Sequence, residues 1–499
     1  MLASSFKRMA RNAAAASKRT QSISRHLTSM TSASSESSEQ PPVLFESKLA
    51  MRKYTLNRPE KLNALDESML DLLRPKIEEW NQSELCGSVV GSGVGRGFCA
   101  GGDVVNVVEN AAEPSTRHKS IEFFQKEFET DYILAALKKP YVVIMDGFTM
   151  GGGVGLAVHA PFRVSTEKTV FAMPETKIGY CPDVGASYFL SRLDGEIGTY
   201  LGLTSQMLGG RDVFESGLAT HYIPSRRVPV LLQRLEALES PSHDAINNVI
   251  EELSEERQPN ESLPRLSGNV RSALDSAFGH NKVEDIMKDL EAFSMDGNTE
   301  IRAWAEETLA AMNMRSPTSL KVALEAIRKG KQLSLLEALN MELKIATAYC
   351  NGASPDFATG VRAVLVEKIK TRPAWSPSRL EDVSPADVAK FFSRDSAYLT
   401  SAPRLTLPGH LATTLSNPMQ YALPSEEEIG SVVRGSHKSG GSKGLRLDEL
   451  IARFEDLRGG KMGVKEKVTE VASRKCEVVD NADGNFVWLK WKYPAKRSA

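Results

Sequence analysis

Three loops constrain this chain more than any other feature, because each follows a β-rich apolar run and each concentrates glycine or acids. The first, Ala100-Gly101-Gly102-Asp103, ends "SVVGSGVGRGFCAGGD". The second, Gly151-Gly152-Gly153-Val154-Gly155, lies in "PYVVIMDGFTMGGGVGLAVHA" and opens a helical stretch. The third, Met173-Pro174-Glu175 with Pro182-Asp183-Val184-Gly185, follows the strand pair "RVSTEKTVFAMPE". Repeated strand–turn–helix order predicts an α/β core, here over residues 41–228. "SVVGSGVGRGFCAGGD" reads as one buried strand running into its loop. Upstream, "KLAMRKYTLNRP" alternates like a strand. "LDESMLDLLRPKIEEW" carries Leu65, Met69, Leu72 and Leu73 at helical spacing, with Asp66 as N-cap.

A chain of 499 residues exceeds what one core usually supports, so further packing units are expected. From 229 to 424 the pattern turns helical. Ser316 caps a helix with Pro317 at its first position, Leu320, Leu324 and Ile327 on its apolar face and Gly330 as its stop. Ser334 and Glu337 form a capping box for the next helix, which ends at Asn351-Gly352. Residues 425–499 make a third region: a linker, "GSHKSGGSKG", a helix in "LRLDELIARFEDLRGG", and a tail, "FVWLKWKYPAKRSA", that interleaves basic and aromatic residues. The architecture expected is an α/β core, a C-terminal helical subdomain and an appended tail module.

Residues 1–40 differ in composition. Lys7, Arg8, Arg11, Lys18, Arg19 and Arg25 are spread among Ala, Ser and Thr, no acid precedes Glu36, and Leu2, Phe6, Met9 and Ala13 share one helical face. That is the composition of a mitochondrial transit peptide, with removal expected between Arg25 and Glu36 and localisation in the matrix. No apolar run reaches the roughly 20 residues of a membrane span, and a formal net charge of -1 argues against generic polyanion binding. The five cysteines are far apart with no C-x-x-C pair, so they read as small core fillers, and no metal site or cofactor is expected. His159 and His221 read as hydrogen-bonded core residues.

Glycine lets backbone approach a ligand closely, and N–H groups at a helix start lack partners. Two such donors aimed at one point form an oxyanion hole, about 3 kcal/mol each for a developing negative charge. Taken alone, "GGGVG" reads better as a tight turn with close helix packing. The series "LNRPEKLNAL", "GRGFCAGGDV", "MDGFTMGGGVGLAVHA" and "FAMPETKIGYCPDVGASYFLSRL" resembles the crotonase superfamily in order and separation. Downstream, "YLGLTSQMLGGRDVFESGLATHYI", "SPTSLKVALEAI", "LSLLEALNMELKIA" and "DFATGVRAVLVEK" resemble its 3-hydroxyisobutyryl-CoA hydrolase branch. The resemblance spans roughly 43 to 380. It implies a spiral of ββα turns, an acyl-CoA substrate and hydrolysis of its thioester in valine breakdown. It places the oxyanion donors at Gly102 and Gly152, a substrate-contacting acid at Glu127, the catalytic acids at Glu175 and Asp183, and the CoA moiety along Arg58 to Ala64.

Two carboxyls in a partly dry site push their pKa values apart, so that one holds a proton while the other is charged. Glu175 either attacks the thioester carbonyl or activates water, and Asp183 orients or transfers a proton. Out of context the two acids would read as a loop acid and a turn cap. The resemblance puts a second glutamate at position 155 in enoyl-CoA hydratases, and Gly155 disfavours that alternative. Ala186, Ser187 and Glu367 depart from the family pattern, as does the absence of a basic residue in Thr204–Leu208, without removing a proposed catalytic group. Related proteins of the mitochondrial small ribosomal subunit open another reading. Lys490, Lys492, Lys496 and Arg497, beside Trp488, Trp491 and Tyr493, suit a ribosomal contact. A terminal strand with solvated charges is the better reading of these residues by themselves. The sequence leaves the oligomeric state open.

Overall fold

The computed structural model describes residues 40–409, 411, 415–440, 444–480 and 487–492. Leu2, Phe6, Met9, Ala13 and the basic residues among them lie outside the described residues, as do Tyr493, Lys496 and Arg497. The chain divides into two units, Met1–Pro41 and Pro42–Ala499.

The second unit opens with an antiparallel hairpin of β1 (Val43–Lys48) and β2 (Met51–Leu56). Three strand pairs follow: β3 (Ser88–Gly93) with β4 (Gly97–Cys99), β5 (Tyr141–Met145) with β6 (Phe148–Met150), and β7 (Phe162–Ser165) with β8 (Val170–Ala172). Each pair turns a corner. The first strands join β1, β2 and the short β10 (His221–Tyr222) in a sheet ordered β1-β2-β3-β5-β7-β10. The second strands build another sheet, β4-β6-β8-β9, with β9 at Leu208–Gly209. Pairing is parallel from β2 to β10 and from β4 to β8. This is the ββα spiral that the resemblance implies.

The stretch read as one strand through Cys99 is therefore two. Gly95, at φ 82°, makes the turn between them, a backbone region that L side chains rarely adopt. The corner between β5 and β6 needs glycine for a second reason. Gly147 has φ 135°, and a Cβ there would lie 2.2 Å from the Arg96 carbonyl oxygen.

Parallel strands covered on both faces read as continuous apolar runs, and "YVVIM" does. Val89, Val143 and Met145 face the main core. Val90, Val142 and Ile144 face a smaller cluster with Leu231, Leu235, Ile246 and Ile250 from helices Val228–Glu236 and His243–Glu251.

The N-caps read from the sequence start helices in the core and the helical region, and Gly330, read as a stop, is the last residue of its helix, with Lys331 following as C-cap. Asp66 accepts from the Met69 N–H at 3.0 Å, and Ser316 from the Ser319 N–H at 3.0 Å. Ser334 and Glu337 form the capping box of Leu335–Cys350, which packs along the Arg117–Ala135 helix.

The last region is not free of the rest. Helices Glu426–Val433, Leu447–Leu457 and Val464–Lys475 place Ile429, Phe454 and Val468 in the main core. Lys467 pairs with Asp194 at 2.7 Å, Arg271 with Glu426 at 2.8 Å, and Lys461 with Glu251. Strands β11 (Cys476–Asp480) and β12 (Val487–Trp491) close it as an antiparallel pair. Trp491 lies beneath the Arg434 guanidinium, 5.5 Å from its ring centre, while Lys490 pairs with Glu477 at 2.8 Å. Among the described residues no helix is long and apolar enough to cross a membrane.

Candidate active site

Gly102 is oriented by the loop before it. Leu65 donates its N–H to the Gly101 carbonyl at 2.7 Å and accepts from the Asp103 N–H at 2.8 Å. A Cβ on the intervening Gly102 would lie 3.2 Å from the Phe123 ring and 3.8 Å from Glu127 Oε1. Asn63 anchors the same loop, accepting from the Arg58 N–H and donating to the Val94 and Gly97 carbonyls. Arg58 bonds the Ala64 carbonyl and pairs with Asp66 at 2.8 Å and Asp103 at 3.6 Å. Arg58–Ala64 thus holds the β4 exit in register.

Gly152 begins the short Gly152–Val158 helix after Gly151, whose φ is 45°. The two loops touch: a Cβ on Gly101 would lie 3.8 Å from the Gly152 nitrogen. Among the described residues the N–H groups of Gly102 and Gly152 donate to no protein acceptor. A buried N–H left unpaired costs on the order of 1–3 kcal/mol, and two neighbouring ones form a site that a ligand oxygen satisfies.

Carboxyls surround this point. Glu127, from the Arg117–Ala135 helix, is closest: its Oε1 lies 2.1 Å from where a Gly152 Cβ would be and 3.8 Å from a Gly102 Cβ. Glu175 heads a 3-10 turn and sets its Oε1 3.0 Å from a Gly151 Cβ. Asp183 follows, on a turn closed by the Ala186 N–H to its own carbonyl at 2.8 Å. Glu127, Glu175 and Asp183 are buried, at 2%, 5% and 6% exposure. Glu127 Oε1 and Glu175 Oε2 have no hydrogen-bond partner.

Burial, and then mutual repulsion, pushes the carboxyls of Glu175 and Asp183 above the ordinary range; burial does the same to Glu127. Glu175 has one bond favouring its charged form, from its own backbone N–H. The arrangement supplies buried carboxyls with raised pKa values beside two N–H groups that have no protein acceptor among the described residues.

Three groups escaped sequence reasoning. Asp131 sits one helical turn after Glu127, fully buried, with neither oxygen partnered, and burial raises its pKa strongly. Its i, i+4 spacing from Glu127 was its one signal. Glu342, an acid within the apolar face of Leu335–Cys350, is also buried and reaches the Asp183 turn. Tyr180, stacked between Phe124 and Phe357, carries a buried hydroxyl that faces the Asp183 carboxyl.

Gly155 gains a structural reason. A Cβ there would lie 2.5 Å from Asp131 Oδ2 and 2.6 Å from Val184 Cβ, so no longer side chain fits. His159 bonds the Val184 carbonyl, and His221 faces Asn247 and Glu251. All five cysteines are free and buried, and burial pushes the Cys99 thiol up to about 12, which disfavours its thiolate. Among the described residues no three His, Cys, Asp or Glu side chains are grouped to hold a metal ion.

A family model described as enoyl-CoA hydratase/isomerase matches residues 51–392. A Neurospora crassa protein named small ribosomal subunit protein mS47 is 37% identical over 451 residues, 88% of this chain and 86% of that protein. A Gallus gallus protein named 3-hydroxyisobutyryl-CoA hydrolase, mitochondrial, is 42% identical over 333 residues, 66% of this chain and 83% of that one. A crystal structure of a carnitinyl-CoA dehydratase from Mycobacterium thermoresistibile superposes with a TM-score of 0.65 at 32% identity, over 74% of this chain and all of that one.

Proposed function

The chain belongs to the enoyl-CoA hydratase/isomerase family, the crotonase superfamily, and from that premise we propose that it hydrolyses an acyl-CoA thioester. The substrate proposed is 3-hydroxyisobutyryl-CoA, the products 3-hydroxyisobutyrate and free CoA, and the setting valine catabolism in the mitochondrial matrix. The observation that carries this is the acid set. Glu127 and Glu175 lie beside two unpaired N–H groups, Asp183 is near enough to be repelled by both, and Gly155 leaves no room for a second acid on its own helix.

The thioester oxygen accepts from the Gly102 and Gly152 N–H groups, displacing Glu127 Oε1 from Gly152 or bonding to its proton. Negative charge builds on that oxygen as C1 becomes tetrahedral, and the two donors stabilise it. Ionised Glu175 lies beside C1. It either takes a proton from an attacking water or attacks C1 itself to give an anhydride, which water then cleaves. Either route breaks the C1–S bond, and the sulfur leaves as a thiolate that takes a proton from Asp183. Water supplies the oxygen and, overall, both protons of the products.

Purified full-length protein should release CoA from 3-hydroxyisobutyryl-CoA, and Glu175→Gln should not. A single turnover in 18O-water separates the routes, because only the anhydride route places label in the Glu175 carboxylate.

A second reading has its own support. The match to the ribosomal protein extends over 88% of this chain, against 66% and 75% for two of the hydrolases, and Lys490 at the terminal strand is 63% exposed. We propose association with the mitochondrial small ribosomal subunit as a further role. Co-sedimentation of the protein with small-subunit particles, weakened in Lys490→Glu/Lys492→Glu, would support it. Sedimentation free of particles at physiological salt would reject it.

A further inference from the structure

Asp183 precedes a residue in an unfavourable conformation. Val184 has φ 55°, in the left-handed region, where a β-branched side chain is strained. Such a conformation persists only where its surroundings enforce it. Two side chains grip the turn. His159, through Nε2, donates to the Val184 carbonyl at 2.9 Å. Glu342 reaches in from the Leu335–Cys350 helix, its Oε2 accepting from the Gly185 N–H at 2.6 Å. Its Oε1 accepts from the Ser187 N–H at 2.8 Å and the Ser187 hydroxyl at 2.5 Å.

The Glu342 carboxyl is 1% exposed and has no ion-pair partner among the described residues. An uncompensated acid is an expensive way to fill a helix interface. Its three donors lie within three residues of one another, all on the turn that carries Asp183. Burial pushes Glu342 up to about 7, and the Ser187 and Gly185 bonds oppose that rise. Ser187 thereby acquires a role: its hydroxyl completes the grip.

We propose that Glu342 is a positioning residue for Asp183, locking the 183–187 turn against the strain at Val184 so that the Asp183 carboxyl stays beside Glu175. This rests on the reading of Asp183 as the proton-handling acid of thioester hydrolysis. A Gln at 342 presents an NH2 to a backbone N–H, so one leg of the grip becomes a donor facing a donor. Ser187→Ala removes only the hydroxyl leg.

The test is a double-mutant cycle on CoA release, with Glu342→Gln and Ser187→Ala each made in the wild type and in Asp183→Asn. An error near 1 Å in a reacting group costs about 100-fold. Glu342→Gln should therefore lower kcat by about 10- to 100-fold with KM within about twofold, and Ser187→Ala by about threefold. Both effects should shrink to within about twofold in Asp183→Asn, because residues acting through one another are not additive. Equal losses in both backgrounds, or a loss confined to KM, would overturn the proposal. If Glu342→Gln does not fold, the Ser187→Ala cycle decides by the same criterion. Wild-type protein that releases no CoA would defeat the hydrolase reading and this inference with it, whereas active wild type with unchanged kcat in Glu342→Gln defeats only the inference.

Discussion

Gly152 and Gly153 are adjacent, yet a methyl group on each should do different damage. On Gly152 the new Cβ would lie 2.1 Å from Glu127 Oε1, with Leu65 Cδ1 at 3.3 Å. A carbon and an oxygen approach to about 3.3 Å, so the carboxylate must retreat by about 1.2 Å. It is the far end of a side chain and can do so, but the methyl then crowds the oxyanion site. Displacement of about 1 Å, or loss of one donor, each lowers turnover by about 10²-fold or more. Gly152→Ala should therefore fold, melt within a few degrees of wild type, and lose kcat by about 10²- to 10³-fold. On Gly153 the Cβ would lie 2.3 Å from the Cys99 carbonyl oxygen and 2.6 Å from Cys99 Cβ. Backbone of β4 cannot step aside, and overpacking costs about 1–3 kcal/mol or more. Gly153→Ala should show chiefly in the melting temperature and soluble yield. CoA release monitored with a thiol reagent, alongside thermal melting, reads both. Wild-type kcat in Gly152→Ala would refute the placement of the oxyanion site.

Other consequences are open to measurement. Glu175 must be ionised to act and its pKa is raised, so kcat/KM should climb as pH rises through neutrality; a profile already flat from pH 5 upward would contradict the buried acid set. Asp131 also has a raised folded pKa, so its contribution to stability is present in acid and lost as pH rises through that value. Asp131→Asn should therefore gain in melting temperature relative to wild type between pH 5 and pH 8, and a falling difference would show the sign to be wrong. Burial works to raise Glu251, but the His221 bond and Lys461 outweigh it and bring its pKa down to about 2. Lys461→Met should cost about 1–3 kcal/mol, because Glu251 loses its cation but keeps His221 and the Met462 N–H. The deficit should be full above about pH 5 and shrink as Glu251 protonates; chemical denaturation across pH would detect its absence.

Much of the fold was legible because its signals are local. Asp66, Ser316 and the Ser334–Glu337 box set helix starts by bonds within three or four residues. The split of "SVVGSGVGRGFC" between two sheets was not, since composition tells strand from turn but not which sheet a strand joins. The loops bearing Gly102, Gly152, Glu175 and Asp183 stood out as glycine and acid in places that packing does not require. Asp131 and Glu342 were hidden because an acid on a helix reads as solvated, and only tertiary packing of Arg117–Ala135 against Leu335–Cys350 buries them. The tail looked separable because its linker is glycine-rich, whereas Phe454 and Val468 lie in the main core.

The most direct test is CoA release from 3-hydroxyisobutyryl-CoA by the purified full-length protein, with Glu175→Gln and crotonyl-CoA beside it. Hydrolysis by the wild type, none by Glu175→Gln and no hydration of crotonyl-CoA is the outcome expected of a thioesterase. Folded wild type that hydrates crotonyl-CoA and releases no CoA from the hydroxyacyl thioester would contradict it.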